Sequence, residues 1–415
     1  MSLLTLSSLL ITVSALFAYV NYRTLKLPTT IGIMVISLLF SVVLVVLGKF
    51  GFSSGVDYAR DIVSQIEFDE ALLNGMLAFL LFAGAMHIDL KELLKYKWTI
   101  GILASLGVVL STFVMAGAAY VLFALLNIDM PFIYCLLFGS LIAPTDPVAV
   151  LGVLKTAGAS KDLETKIAGE SLFNDGVAIV VFLSIFGIAI NGDPLSAQHI
   201  GILFVQEAIG GALFGFAAGW VVLQLLKDVD NYHVEILLTL ALVAGGATGA
   251  AALHLSAPIA VVVAGLMIGN HGKRGAMSKN TIQHLDTFWE LIDEILNAVL
   301  FLIIGIEVVL ITFNGPIWIA ALLLTLVALA ARMFAVSIPV NLLKLRREFH
   351  PHVIKILTWG GLRGGISVAL ALSIPASEQR DVIVAITYVI VVISIVLQGL
   401  TIGKLIKATS ETTEA

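Results

Sequence analysis

Apolar runs of about 20 residues recur from one end of this chain to the other, and that constrains its fold more than any other feature. A run of that length is what an α-helix needs to cross a hydrocarbon core ~30 Å thick. Hydrophobic residues make up 59% of the chain and charged ones 12%, against about 25% charged in a soluble domain. The expected fold class is therefore an all-α polytopic membrane protein. The runs fall at roughly 3–22, 29–47, 71–88, 98–126, 131–154, 167–190, 199–226, 234–253, 257–270, 291–311, 317–340, 353–373 and 382–404, about thirteen spans. The net charge of −5 is no guide to a soluble acidic or basic partner, and nucleic acid is not expected as one. The lone cysteine, Cys135, cannot form an intrachain disulfide.

Connections between the spans alternate in charge. Arg23 and Lys26, then Lys91, Lys95 and Lys97, then Lys155, Lys161 and Lys166 follow alternate spans. Lys273, Arg274 and Lys279, then Lys344, Arg346 and Arg347, then Lys404 and Lys407 continue the series. By the positive-inside rule these loops are cytoplasmic, with the N-terminus outside and the C-terminus inside. The seventh loop, Lys227 to His233, carries as many acids as bases and is the weak point of that pattern. The first run lacks a basic leader and a small-residue cleavage site and reads as a retained helix. A single integral membrane domain is expected over 1–405, with a short cytoplasmic tail over 406–415.

Two aspartates, Asp146 and Asp175, lie inside such runs, with Glu170 near the second and Arg363 far along the chain as a candidate counter-charge. A charge at the bilayer centre costs about 2.5–3.5 kcal/mol even on the lenient insertion scale, so each marks a functional hypothesis. Asp146 precedes Lys155 by nine residues, Asp175 follows Lys166 by nine, and Arg363 follows Lys355 by eight. At 1.5 Å per residue all three lie about 12–14 Å from the cytoplasmic edge, near mid-membrane.

The segments carrying Asp146 and Arg363 are poor continuous helices. Pro144 and Pro147 interrupt one, while Gly360, Gly361, Gly364 and Gly365 weaken the other. Irregular backbone at this depth must be satisfied by protein or by a wet cavity. The broken spans are seven apart in order, so they run in opposite directions. That suggests inverted repeats over about 1–190 and 234–405, with core helices over about 71–190 and 291–405 and a substrate site at the breaks. In the sixth span, Glu170, Ser171, Asn174 and Asp175 share one broad helical face. Carboxylate, hydroxyl and amide oxygens are hard donors suited to a small cation, and no His/Cys zinc spacing appears. Thr145 and Asp146 add oxygen donors from the neighbouring break.

On Thr145-Asp146-Pro147, Glu170-Ser171-x-x-Asn174-Asp175, Phe301-x-x-x-Gly305-x-Glu307 and Gly360-Gly361-Leu362-Arg363-Gly364, the chain resembles the cation–proton antiporter-1 family, the NhaP and NHE group. The resemblance covers nearly the whole chain. It implies thirteen helices in an NhaA-like fold, a homodimer, and exchange of a monovalent cation (Na⁺ or Li⁺) for H⁺ with no cofactor. It further implies that Asp175 carries the ion and the proton, that Thr145, Ser171 and Asp146 complete the site, and that Glu170 pairs with Arg363. Asn174 stands where electrogenic relatives have a second aspartate, which implies electroneutral 1:1 exchange. Several relatives carry an acid in the third span, where this chain has Ala83.

Competing expectations are a K⁺/H⁺ exchanger of the same fold, a passive cation channel, and an intramembrane aspartyl protease, which also needs two apposed aspartates. Asp146 has a structural reading as a cap of the half-helix, and Arg332 reads as a paired scaffold residue. Glu207 is assigned no role. Glu307 reads as a solvated helix end. His271, His284, His350 and His352 read as loop residues, and Trp98, Trp289 and Trp318 as interfacial anchors.

Overall fold

Helices account for nearly all of the regular structure in the computed structural model, which describes residues 2–50, 61, 68–146, 150–151, 154, 161–192, 201–202, 205–311, 315–344 and 352–414. The first are α1 (Leu3–Arg23) and α2 (Thr29–Lys49). Next come α3 (Phe68–Met86), the short α4 (Leu90–Lys95), α5 (Lys97–Leu125) and α6 (Phe132–Ile142). The middle of the chain forms α7 (Lys161–Ile190), α8 (Val205–Lys227), α9 (Tyr232–Ala252) and α10 (Ala257–Gly272). The remainder forms α11 (Lys279–Glu307), α12 (Gly315–Leu343), α13 (Val353–Trp359), α14 (Gly365–Leu372) and α15 (Glu378–Thr409). Among the described residues nine helices are long and apolar enough to cross a membrane, and α6 and α10 are shorter apolar helices. The molecule is a multi-pass membrane protein. Pro147, Lys155, Asp193, Arg346, Arg347 and His350, on which some of the sequence expectations rest, lie outside the described residues.

An apolar run does not mark where its helix begins, and α11 shows why. The apolar run begins near Leu291, yet the helix starts twelve residues earlier at Lys279. Ser278 caps it, its side chain accepting the Thr281 N–H. The added turns carry Asp286 and Glu290, with Asp293 and Glu294 close behind, and these charges hide an apolar side that is packed. Trp289 is therefore not an interfacial anchor. It is fully buried, its ring centroid 4.6 Å from that of Phe82, and its Nε1–H donates to Thr239 at 3.1 Å. Trp98 and Trp318 are exposed. Lys166, a depth marker in the sequence, is also buried and holds its ammonium 4.2 Å from the Tyr96 ring centroid.

Lipid tails are as apolar as leucine, so close packing of small residues drives helix association here. Helix α8 presents Gly211, Gly215 and Gly219 at four-residue spacing to α10. A Cβ at Gly211 would meet Ser256, one at Gly215 the backbone of Ala260, and one at Gly219 Ala264 and the Met267 sulfur. Helix α5 runs along both α6 and α12, and α2 lies along α11, where Gly305 abuts Ser37. Residues on those interfaces are held by neighbouring backbone, so they cannot yield. Gly215→Leu is expected to cost about 1–3 kcal/mol through overpacking. A detergent-solubilised melting curve should show a lowered midpoint, whereas Leu213→Ala, on the exposed side of the same helix, should leave it unchanged.

Candidate ion-binding site

Two interrupted helices meet at the centre of the bundle. Helix α6 ends at Ile142, the Ala143 N–H donates back to the Ser140 carbonyl at 3.3 Å, and Pro144 to Asp146 lie outside the helix. Helix α13 ends at Trp359, and the chain is extended at Gly364 before α14 begins. The two breaks pair with each other. The Asp146 N–H donates to the Leu362 carbonyl at 2.8 Å, forming an isolated antiparallel bridge. Arg363 Nη1 donates to the carbonyls of Ala143 (2.7 Å) and Pro144 (2.9 Å), the groups left unpaired where α6 stops. Its own backbone N–H donates to Ser394 Oγ at 3.0 Å, and Ser394 is fixed in turn by Gln398 of the same helix, α15. The carboxylate of Asp146 lies against Gly364, where any Cβ would collide with it. That contact requires glycine.

Helix α7 supplies the other wall. Its polar face carries Glu170, Ser171, Asn174 and Asp175, all at most 4% exposed. Asn174 bridges to the break in α6, its Nδ2 donating to Thr145 Oγ1 at 2.7 Å and its Oδ1 accepting the Thr145 N–H at 3.3 Å. Ser171 Oγ donates to the Thr145 carbonyl in a short hydrogen bond. Asp175 sits one residue beyond this clamp. Its Oδ1 is buried and has no hydrogen-bond partner among the described residues. Asp146, half-buried, and Glu170 both act on its charge through space. The five residues expected to bind the ion (Thr145, Asp146, Ser171, Asn174 and Asp175) are thus brought together on two elements.

The arrangement concentrates hard oxygen donors around an unsatisfied carboxylate, and among the described residues no His/Cys/Asp/Glu group has the geometry of a metal centre. Residues 11–408 match the family described as sodium/hydrogen exchanger, transmembrane. The chain belongs to the sodium/hydrogen exchanger family. It is 50% identical over 409 residues to the Na(+)/H(+) antiporter NhaP of Pseudomonas aeruginosa, covering 98% of this chain and 96% of that one. It is 33% identical to the Na(+)/H(+) antiporter NhaH of Halobacillus dabanensis, over 93% of each chain. The sodium proton antiporter MjNhaP1 of Methanocaldococcus jannaschii has the same fold, with a TM-score of 0.74 at 20% identity over 97% of this chain and 96% of that chain. Family membership places the protein among transporters rather than intramembrane proteases.

One pairing expected from that family resemblance is overturned. Glu170 is bonded to Arg332 of α12, not to Arg363: Nη1 lies 2.5 Å from Oε1 and Nη2 2.6 Å from Oε2, a fork-to-fork pair between two buried side chains. Arg332 Nε also donates to the Leu357 carbonyl at 3.4 Å, and Gly361 leaves room for the guanidinium. Arg363 is occupied by the carbonyls at the α6 break. Both arginines are buried, so burial alone does not distinguish them; the space at Gly361, where the Arg332 guanidinium lies, does. Two further residues escaped the sequence reading. Asp293 of α11 lies in the field of Asp146 and is held by Asn297, whose Nδ2 donates to its Oδ1 at 3.1 Å. Their four-residue spacing was the available signal.

A buried ion pair broken from one side leaves an uncompensated charge, at a cost of about 3–5 kcal/mol. Arg332→Ala is expected to lower the melting midpoint and the yield of folded protein. The double variant Glu170→Gln/Arg332→Met should recover most of that loss, because neither residue then leaves a charge behind. Fluorescence-detected size-exclusion chromatography with a temperature ramp would read both.

Proposed function

We propose that this protein is a secondary antiporter that exchanges Na⁺ or Li⁺ for H⁺ by alternating access, with ion and proton competing for Asp175. The observation that carries this reading is the buried, unpartnered Oδ1 of Asp175 beside the hydroxyl, carbonyl and carboxylate oxygens of Ser171, Thr145 and Asp146. Protonation neutralises that carboxylate, and so does a bound cation, but the two exclude each other at one oxygen. The empty charged form is costly to move through a low-dielectric barrier, so only the two occupied forms cross. Coupling follows from that single penalty. The antiporter names of the similar proteins point to sodium as the cation.

Asn174 supports a stoichiometry of one cation to one proton. It is an amide whose donor and acceptor are both occupied by Thr145. It ties the α7 face to the α6 break without adding a second titrating group, and its Nδ2 also donates to Oε1 of the Arg332-bound Glu170 at 3.4 Å. Asp146 serves as the second oxygen ligand, positioned by the bridge to Leu362. On this reading the two halves of the chain are inverted repeats that meet at that bridge. The protein works as a homodimer in a prokaryotic inner membrane, with its N-terminus outside and the basic loops in the cytoplasm.

Purified protein in proteoliposomes, with a pH-sensitive dye inside, would test the scheme. Added Na⁺ or Li⁺ should move protons, at a rate unchanged when the membrane potential is clamped at zero or imposed. Asp175→Asn should fold normally and lose proton movement altogether. Exchange by that variant at the wild-type rate would refute competition at Asp175. A response to K⁺ equal to that for Na⁺ would make potassium the substrate of the same mechanism.

A further inference from the structure

Glu307 closes α11 and reads in the sequence as a solvated helix end, but it is 5% exposed and its Oε2 has no hydrogen-bond partner among the described residues. Its position in the helical register is what makes this informative. Asp293, Asn297, Leu300, Ile304 and Glu307 fall at i, i+4, i+7, i+11 and i+14, one continuous stripe. Contacts fix where the stripe faces. A Cβ on Gly365 would lie 2.6 Å from Leu300 Cδ1 and 3.2 Å from Ile304 Cδ1, and the adjacent Gly364 abuts the Asp146 carboxylate. The stripe therefore looks at the crossing of the two breaks. Asp293 is half-buried on one side of the Leu300–Ile304 contact, and Glu307 is enclosed on the other, about 21 Å further along the helix.

Around Glu307 stand Tyr388 and Arg380 of α15 and Asp69 of α3. Tyr388 is 2% exposed and donates its hydroxyl to the Gly305 carbonyl at 3.4 Å. Arg380 and Asp69 act on the Glu307 carboxylate through space and in opposite senses. The Arg380 guanidinium is engaged elsewhere, with Nε and Nη2 on the Leu372 carbonyl at 3.3 and 3.1 Å and Nη1 3.8 Å from Asp381. A glutamate retained only for packing is normally bonded like Glu170, because an unpaired buried carboxylate costs several kcal/mol. This one is held without a direct partner on the face that lines the breaks.

We propose that Glu307 is a second station for the exchanged proton or alkali cation, lying on the outer half of the path and separated from Asp175 by the contact of Leu300 and Ile304 with Gly365. This rests on the exchange reading above and adds a residue to it. With that contact closed, Asp293 is the acid open to the inner side and Glu307 is sealed. When α11 and α14 part, Glu307 becomes the acid an ion from outside meets first. Its carboxylate lowers the cost of drawing a cation from water toward Asp175.

The test is sided. Full-length Glu307→Gln and Glu307→Asp would be assayed for Na⁺/H⁺ exchange in right-side-out and everted membrane vesicles, with melting and yield measured in parallel. Glu307→Gln should raise the half-saturating outer Na⁺ about tenfold, the loss of one charge-assisted contact. The inner value should stay within about twofold of wild type, and Glu307→Asp should restore most of the outer affinity. An outer value unchanged from wild type in Glu307→Gln, or an equal shift on both sides, would overturn the proposal. Should Glu307→Gln fail to fold, Glu307→Asp decides alone: its residual rise in the outer value, about threefold, should have no counterpart on the inner side, and an unchanged outer value or an equal rise on both sides overturns the proposal. The failure of the broader reading looks different. Then wild type moves no protons with Na⁺, or Asp175→Asn retains exchange, whatever Glu307 does.

Discussion

The bond from the Asp146 N–H to the Leu362 carbonyl is the point on which the rest of the site depends. Two helices that stop in mid-membrane each leave backbone groups with no water to bond, and neither break is tolerable alone. Together they satisfy one another. Arg363 completes the arrangement by donating to the first two carbonyls beyond the end of α6, a positive group at the negative end of a helix. Its backbone is in turn held by Ser394. The irregular backbone is therefore a rigid scaffold, and it fixes Thr145 and Asp146 where α7 can reach them.

Polar groups near the crossing fall into two kinds. Glu170, Arg332, Asn174, Thr145, Ser171 and Arg363 all have bonded partners within the protein. Their charges and dipoles are settled, and moving any of them means breaking a bond in a low-dielectric medium. Asp175 has one buried oxygen with none. A transporter needs that contrast, because a site that must release its ion cannot be satisfied by its own protein. The same reasoning distinguishes Glu307 from Glu170: both are buried glutamates, but only one is closed by a bidentate arginine.

Much of this was legible in the sequence because membrane chemistry leaves few choices. Apolar runs of spanning length fixed the fold class, and Pro144 with Gly360, Gly361, Gly364 and Gly365 located both breaks. Counting residues from the basic loops brings Asp146, Asp175 and Arg363 to one layer, and the structure sets the Arg363 guanidinium on the carbonyls just before Asp146, whose charge reaches Asp175. Depth, however, says nothing about rotation around a helix axis. Arg332 and Arg363 are both buried beside the crossing, and only the side chains' directions decide which one meets Glu170. Hydropathy fails in a related way for α11: its charged first half hides a packed face, which makes Trp289 read as an interfacial anchor, and Glu307 does end the helix but is enclosed instead of solvated.

The stripe on α11 shows what a hydropathy reading cannot rank. A helix whose charged first half lies outside the apolar run nevertheless continues for 29 residues through the bundle, and the positions it directs at the crossing alternate in kind: an acid, an amide, two aliphatic side chains, an acid. Aliphatic groups at the narrow point exclude water and hold α14 close at Gly365. Acids on either side make each half of the route hospitable to a cation only when it is open. A barrier built this way needs little motion. Parting two side chains from one glycine exposes one acid, and closing them encloses it, while the cross-braced breaks beneath stay bonded throughout. The fixed elements and the movable one are then separate, which is what lets the site change its access without losing its geometry.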